Sequence, residues 1–169
     1  MKGIGLLLLV VSGAALGGYA AAGLNRRASA LEKIQRLIAR IASQLRYTAD
    51  PVGDLLLTAA GSAELEGLSF LKRAAQLWQD SRDFHAAWRT AIEQTGKDNR
   101  LTPSDLDLLL HFGEELGRSD VEGQLAHCRL YEERFAEHWR EARQAAETKG
   151  RLYLTLGLTG GAALALLLL

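Results

Sequence analysis

The sequence contains few cysteine, proline and aromatic residues. Its 169 residues include one cysteine, two prolines and 7% aromatic residues. The single Cys128 cannot form an intramolecular disulfide and supplies no metal-binding cluster. Glycine-rich phosphate loops, paired-cysteine motifs and the HExxH sequence of zinc proteases are also missing. The sequence therefore predicts no catalytic residue, no cofactor and no metal, and we do not expect an enzyme.

Net charge is absent as well, because 20 Lys and Arg balance 20 Asp and Glu. Charge is also missing from two stretches, residues 3–25 and 152–169. Only Lys2 lies outside the segment between them, which therefore holds 19 basic and 20 acidic residues. A nearly neutral domain lacks the basic excess that drives binding to nucleic acid. We therefore expect no nucleic-acid partner.

The two uncharged stretches have the length and composition of membrane-spanning helices. A hydrocarbon core of ~30 Å needs ~20 helical residues. Residues 3–25 and 152–169 meet this requirement, and the 26–151 domain is too small to bury both helices on all sides. A cleaved signal peptide is the alternative for the first stretch, with Lys2 before it and small residues at 20–22. Its apolar run is long, however, and Arg26 and Arg27 follow at once, which resists translocation.

Basic residues predict the orientation of this two-pass protein in the bilayer. Arg26 and Arg27 follow the first span, Lys149 and Arg151 precede the second, and Lys2 is the one basic residue on an outer flank. Positive flanks stay on the cytoplasmic side. We therefore predict that residues 26–151 form a cytoplasmic domain and that both termini lie outside.

Each predicted span contains two glycines four residues apart, Gly13 and Gly17 in the first and Gly157 and Gly161 in the second. This spacing puts both glycines on one helix face, where two backbones can approach closely. These four residues are candidates for packing between the membrane helices. The alternative is that glycine is simply common in such helices.

The 26–151 domain has helical periodicity and no strand-like alternation. An apolar stripe at spacings of three and four predicts a first helix over 30–47. Proline and N-cap residues open two further helices, at Pro51 and at the Thr102–Pro103 pair. The remaining helices are predicted over 68–79, 83–95 and from residue 119 onward, with a polar loop at 97–100. The predicted fold class is all-α, a small bundle of about six helices between the two spans.

Titratable side chains in this domain form no convincing catalytic group. His111 lies one helical turn from Glu114 and Glu115, so two metal ligands share a face, but two ligands make a poor site. Cys128 falls on an apolar stripe, where a buried, inert thiol is expected. A small membrane enzyme built on His111 and Glu114 is therefore the least favoured hypothesis.

One segment has a specific pattern, G-x-x-L-G-x-S-D-x-x-x-Q-x-x-H. It is formed by Gly113, Leu116, Gly117, Ser119, Asp120, Gln124 and His127. With this pattern and a span at each end, the chain resembles the stage III sporulation protein AB family of endospore-forming bacteria. The resemblance covers the whole chain.

This resemblance implies a function that the residues alone do not give. The family is related to the F-type platform proteins of type II secretion and type IV pilus systems, whose helical domains engage a hexameric secretion ATPase. By this likeness the protein is expected in the mother-cell membrane around the forespore, as a platform component of the channel between the two cells. Its expected partners are the secretion-type ATPase and other small membrane proteins of the channel, and a homo-oligomer is compatible with this role.

One departure limits the likeness, because secretion platforms usually have two such domains and three spans, whereas this chain has one domain and two spans. A membrane-anchored regulatory adaptor that binds another cytoplasmic protein is the alternative. The candidate partner-binding residues come from the motif segment and are Glu114, Glu115, Ser119, Asp120, Gln124 and His127. The competing interpretation of the segment is structural: Gly117 makes a left-handed turn and Ser119 or Asp120 caps the next helix.

Overall fold

A computed structural model describes residues 2–47 and 51–167, without the side chains of residues 2–10, 154, 164, 165 and 167. In these residues the chain is all-helical, with no strand. The α-helices are α1 (Lys2–Tyr47), α2 (Val52–Ala60), α3 (Ser69–Ser81), α4 (Phe84–Thr95), α5 (Pro103–Glu115) and α6 (Val121–Leu167). The prediction of an all-α chain with about six helices is confirmed. Short 3-10 turns occur at Ala63–Leu65 and Gly96–Asn99, the second replacing most of the polar loop predicted at 97–100.

The described chain divides into two compact units, one formed by residues 29–139 and the other by the segments up to Ala28 and from Arg140. Both α1 and α6 contribute to each unit. The first unit is a helical bundle, and the second is a pair of helices.

The bundle core is built from the apolar stripes that the sequence contains. The stripe on α1 is almost completely shielded from solvent, and its members are Leu31, Ile34, Leu37, Ile38, Ile41 and Leu45. Burial of such side chains removes apolar surface from water and is the main stabilising contribution to a small domain. The predicted inward face of the first bundle helix is therefore confirmed.

Aromatic rings fill the centre of the bundle. Trp88 on α4 contacts Phe70 on α3 at a ring-centroid distance of 5.5 Å and Phe112 on α5 at 6.1 Å. The Trp88 indole N–H donates a hydrogen bond of 2.9 Å to the carbonyl of Leu109. A Cβ added at Gly113 would lie 2.2 Å from the indole ring, so the ring needs glycine there in order to lie against α5. Gly113 of the motif thus has a packing role.

The start of α5 has the predicted cap. The Thr102 hydroxyl accepts from the Asp105 amide at 3.3 Å, and the Asp105 carboxylate accepts from the Thr102 amide at 2.8 Å. This reciprocal pair is a capping box. It fixes the direction in which α5 leaves the preceding turn and therefore positions the junction at its far end.

Candidate partner-binding junction

The motif residues lie together at the junction between α5 and α6. Helix α5 ends at Glu115, and Gly117 follows with φ +85°. This is the left-handed region that side chains disfavour, so the turn predicted at Gly117 is confirmed. The Asp120 carboxylate accepts from the Gly123 amide at 2.9 Å and caps α6.

Gln124 and His127 hold this turn from the side of α6. The Gln124 amide nitrogen donates to the Ser119 carbonyl at 2.9 Å. The His127 Nε2–H donates to the Phe112 carbonyl at 2.9 Å, and the His127 ring stacks on the Phe112 ring at a centroid distance of 5.3 Å. Both side chains are half-buried. They therefore fix the return of the chain from α5 to α6.

Tyr131 lies one turn beyond His127, with the two rings 4.6 Å apart. Burial raises the pKa of the Tyr131 phenol, an effect that the nearby Arg134 opposes and that Glu115 reinforces. The phenol stays neutral at physiological pH. Tyr131 is thus a packing residue of the junction.

The six candidate residues differ in how far they face solvent. Glu115, Ser119 and Asp120 are exposed. Glu114 is half-buried and forms an ion pair with Arg89 of α4. The junction therefore presents the exposed carboxylate of Glu115, which forms no ion pair within the part of the chain that the structure describes, together with the polar turn at 119–120.

The pair of His111 and Glu114 considered as metal ligands is not assembled. His111 Nδ1 lies 2.8 Å from the carbonyl of Asp107, and Glu114 contacts Arg89. Among residues 2–47 and 51–167, no three His, Cys, Asp or Glu side chains are grouped as a metal site requires. The hypothesis of a small membrane enzyme built on His111 and Glu114 gains no support from this geometry.

The bundle contains a buried hydrogen bond between Asp105 and His138 that sequence reasoning did not find. Asp105 has no exposed surface, and its Oδ1 accepts from His138 Nδ1 at 2.7 Å. The cap of α5 signalled Asp105 in the sequence, but the partner is 33 residues away on α6. Nothing in the local pattern identifies such a partner. The contact ties the start of α5 to α6.

The second compact unit brings together the four glycines of the predicted spans. A Cβ at Gly13 would lie 2.5 Å from the Gly157 carbonyl oxygen and 3.1 Å from the Gly161 Cα. A Cβ at Gly17 would lie 3.4 Å from the Gly157 Cα. The backbones of α1 and α6 are therefore in direct contact at this crossing, where a larger residue does not fit.

The outer surface of the same helix pair is apolar. Leu16 is 72% exposed and Leu166 is 74% exposed, and further large apolar side chains are exposed at Val11, Tyr19, Leu152, Leu156 and Leu158. Within the residues that the structure describes, no helix satisfies the length and apolarity needed to cross a bilayer. Residues 3–10 of the first predicted span lie outside the described side chains. The two spans remain predictions.

Comparison with known proteins identifies the family of this chain. Neither the curated proteins nor the solved structures give a significant match. The family model of stage III sporulation protein AB matches residues 2–169, which is nearly the whole chain and includes the junction motif. The chain therefore belongs to the stage III sporulation protein AB family, a family of sporulation stage III proteins.

Proposed function

We propose that the protein is a membrane-anchored platform component of a secretion-like channel that acts in endospore formation and engages a cytoplasmic secretion ATPase. The observation that carries this proposal is the apolar outer surface of the glycine-packed helix pair. The family membership supports the sporulation context. The relation of this family to secretion platform proteins supports the proposed role of the bundle in engaging the ATPase.

The helix pair has features suited to lipid. Soluble monomers rarely expose large contiguous apolar patches, yet Leu16, Leu156 and Leu166 are all more than half exposed. Close glycine contacts stabilise helix pairs in a bilayer, where the hydrophobic effect does not drive helices together. A lipid environment accounts for both the open leucines and the tight backbone crossing.

The basic flanks support a cytoplasmic position for the bundle, and the likeness to the family supports a location in the mother-cell membrane around the forespore. Arg26 and Arg27 lie at one inner flank, and Lys149 and Arg151 at the other. In this orientation the α5–α6 junction is accessible to a cytoplasmic ATPase. Other small membrane proteins of the channel are expected to contact the helix pair within the bilayer.

The exposed part of the junction is the proposed contact surface. Glu115 is an exposed carboxylate beside the polar turn of Ser119 and Asp120. Glu114 is held by Arg89 and has a structural role in the bundle. Acidic residues at a rim guide association with a basic partner more than they add to affinity. We therefore assign first contact with the ATPase to Glu115.

Cysteine labelling tests the membrane topology. In intact vegetative cells that express the protein, an impermeant maleimide is expected to label Lys2→Cys and Leu169→Cys. Asp98→Cys, on an exposed turn, is expected to react only after permeabilisation. Cys128 is completely buried and adds little background. Labelling of Asp98→Cys from outside would overturn the proposed orientation.

Co-purification from membranes tests the partner. Glu115→Lys is expected to weaken capture of the secretion ATPase at least tenfold at low salt, because it reverses a charge at the contact. Glu133→Lys is the matched control, since Glu133 is an exposed acidic residue of α6 away from the turn. Equal capture by both variants would remove Glu115 from the interface. A correct topology without any ATPase capture would favour the regulatory adaptor instead.

A further inference from the structure

A pocket of about 380 Å³ lies beside the α5–α6 junction, within the helical bundle. Its walls come from the start of α2, from α3, α4 and the junction. Val52, Phe84 and Leu116 contribute apolar walls, and Trp78, His85 and Gln124 contribute polar groups. This volume falls in the range of small-ligand sites.

Two of these polar groups lack hydrogen-bond partners. Trp78 Nε1 and Gln124 Oε1 are shielded from solvent and have no acceptor or donor among the described residues. The Gln124 amide orientation is fixed, because its nitrogen donates to the Ser119 carbonyl. Gln124 Oε1 can therefore only accept, and Trp78 Nε1 can only donate. Buried polar groups are normally paired, so two orphans in one pocket need an explanation.

The Trp78 ring is held in place from two sides. A Cβ at Gly53 would lie 2.1 Å from the indole, so the ring lies directly on the backbone of α2. The Arg82 guanidinium covers the ring at 5.6 Å from its centroid. The direction of the indole N–H is therefore fixed. His85 is likewise fixed, because its Nδ1–H donates to the Gly113 carbonyl at 3.1 Å.

We infer that this pocket binds an extended peptide segment of a partner protein through one apolar side chain and its adjoining backbone amide. A peptide offers a carbonyl that accepts from Trp78 and an N–H that donates to Gln124, which are the two groups that the pocket lacks. The apolar walls receive a side chain such as leucine. The inference rests on the proposed function only in taking the partner to be a protein.

Nuclear magnetic resonance of the full chain in lipid nanodiscs, with the tryptophan indoles labelled with ¹⁵N, tests the site. The probe is N-acetyl-leucine N-methylamide, and its matched control is an aliphatic ester of similar size that keeps the isobutyl group and carbonyl but has no N–H. The amide is expected to shift the Trp78 indole signal saturably and to leave the Trp88 signal unchanged. Its dissociation constant should be at least tenfold lower than that of the ester.

Gln124→Leu is expected to remove the preference for the amide, while Gln76→Leu, at an exposed position of α3, keeps it. An unchanged Trp88 signal shows that the variant is folded. Equal binding of amide and ester by the natural protein, or no shift of Trp78, would overturn the inference. A Trp78 indole that keeps its hydrogen bond to bound water when the amide is present would also overturn it. So would a Trp78 signal that shifts with protein concentration in the absence of any probe, because a second copy of the chain would then be the occupant. None of these measurements uses the ATPase, so they fail independently of the proposed function.

Discussion

Asp105 is a carboxylate without exposed surface that accepts hydrogen bonds from both Thr102 and His138. Replacing it by alanine leaves a buried amide and a histidine N–H without an acceptor. Asp105→Ala is expected to lower the free energy of unfolding by about 3 kcal/mol. Urea unfolding followed by circular dichroism measures the loss. Asp107→Ala, at a side chain that is 72% exposed, should cost less than about 0.5 kcal/mol, and equal losses would contradict this account.

Cys128 is completely buried, and its pKa is raised to about 11, mainly by burial and secondarily by Glu132. At pH 8 its reaction with a maleimide is expected to be at least about 100-fold slower than that of Asp98→Cys. The folded pKa exceeds the ordinary value of 9.0. The stabilisation from keeping the thiol neutral is therefore complete below about pH 9 and is lost as the pH rises toward 11. Fast labelling of Cys128 in the folded protein would disprove the burial.

At the scale of elements, the helix pair depends on glycine at its crossing. Ala21 and Gly150 lie opposite each other, with 3.8 Å between the Cβ of Ala21 and a Cβ placed at Gly150, which suits a disulfide. A double variant with cysteines at both positions should therefore cross-link on mild oxidation. Adding Gly157→Ile should slow cross-linking at least tenfold, because the new side chain meets the Gly13 carbonyl.

Gly160→Ile is the matched control for this experiment, since a Cβ there meets nothing within 4 Å. Free thiols counted with a polyethylene glycol maleimide after denaturation report the extent of cross-linking. Similar rates for the two isoleucine variants would show that the crossing does not depend on Gly157.

The junction depends on a single backbone conformation. Gly117 has φ +85°, and a Cβ there would lie 3.0 Å from Val52. Gly117→Ala is expected to destabilise the bundle by about 1–2 kcal/mol. Gly61→Ala serves as the control, because Gly61 has φ −82° and only ordinary contacts around it. Chemical denaturation of both variants checks this prediction, and a neutral Gly117→Ala would rule out strain at the turn.

At the scale of the whole molecule, periodicity predicted most of the helices and the buried stripe on α1. It did so because each apolar residue at a spacing of three or four contributes to one helix face. The span predicted over residues 3–25 and the bundle helix predicted over 30–47 are parts of one continuous helix, α1. No proline separates the two stretches, and the helix continues through Ser29, although serine is a residue type that often caps helices.

The candidate site was predictable only in part. The motif located the junction, and Gly117 revealed its turn, because a left-handed bend has a sequence signature. The ion pair of Glu114 with Arg89 and the unpaired groups of Trp78 and Gln124 had no such signature. The ion pair joins distant parts of the chain, and the two unpaired groups come together only in the folded bundle. Both features depend on how the helices pack, and a single sequence does not reveal that packing.

The aromatic cluster around Trp88 has an optical consequence. Its indole is 1% exposed and touches Phe70, Phe84 and Phe112 in fixed orientations. Rings held in an asymmetric, dry environment produce near-ultraviolet circular dichroism, which disappears when packing is lost while helices remain. The bundle thus carries its own label-free indicator of correct packing, readable in any preparation that is clear enough to transmit light.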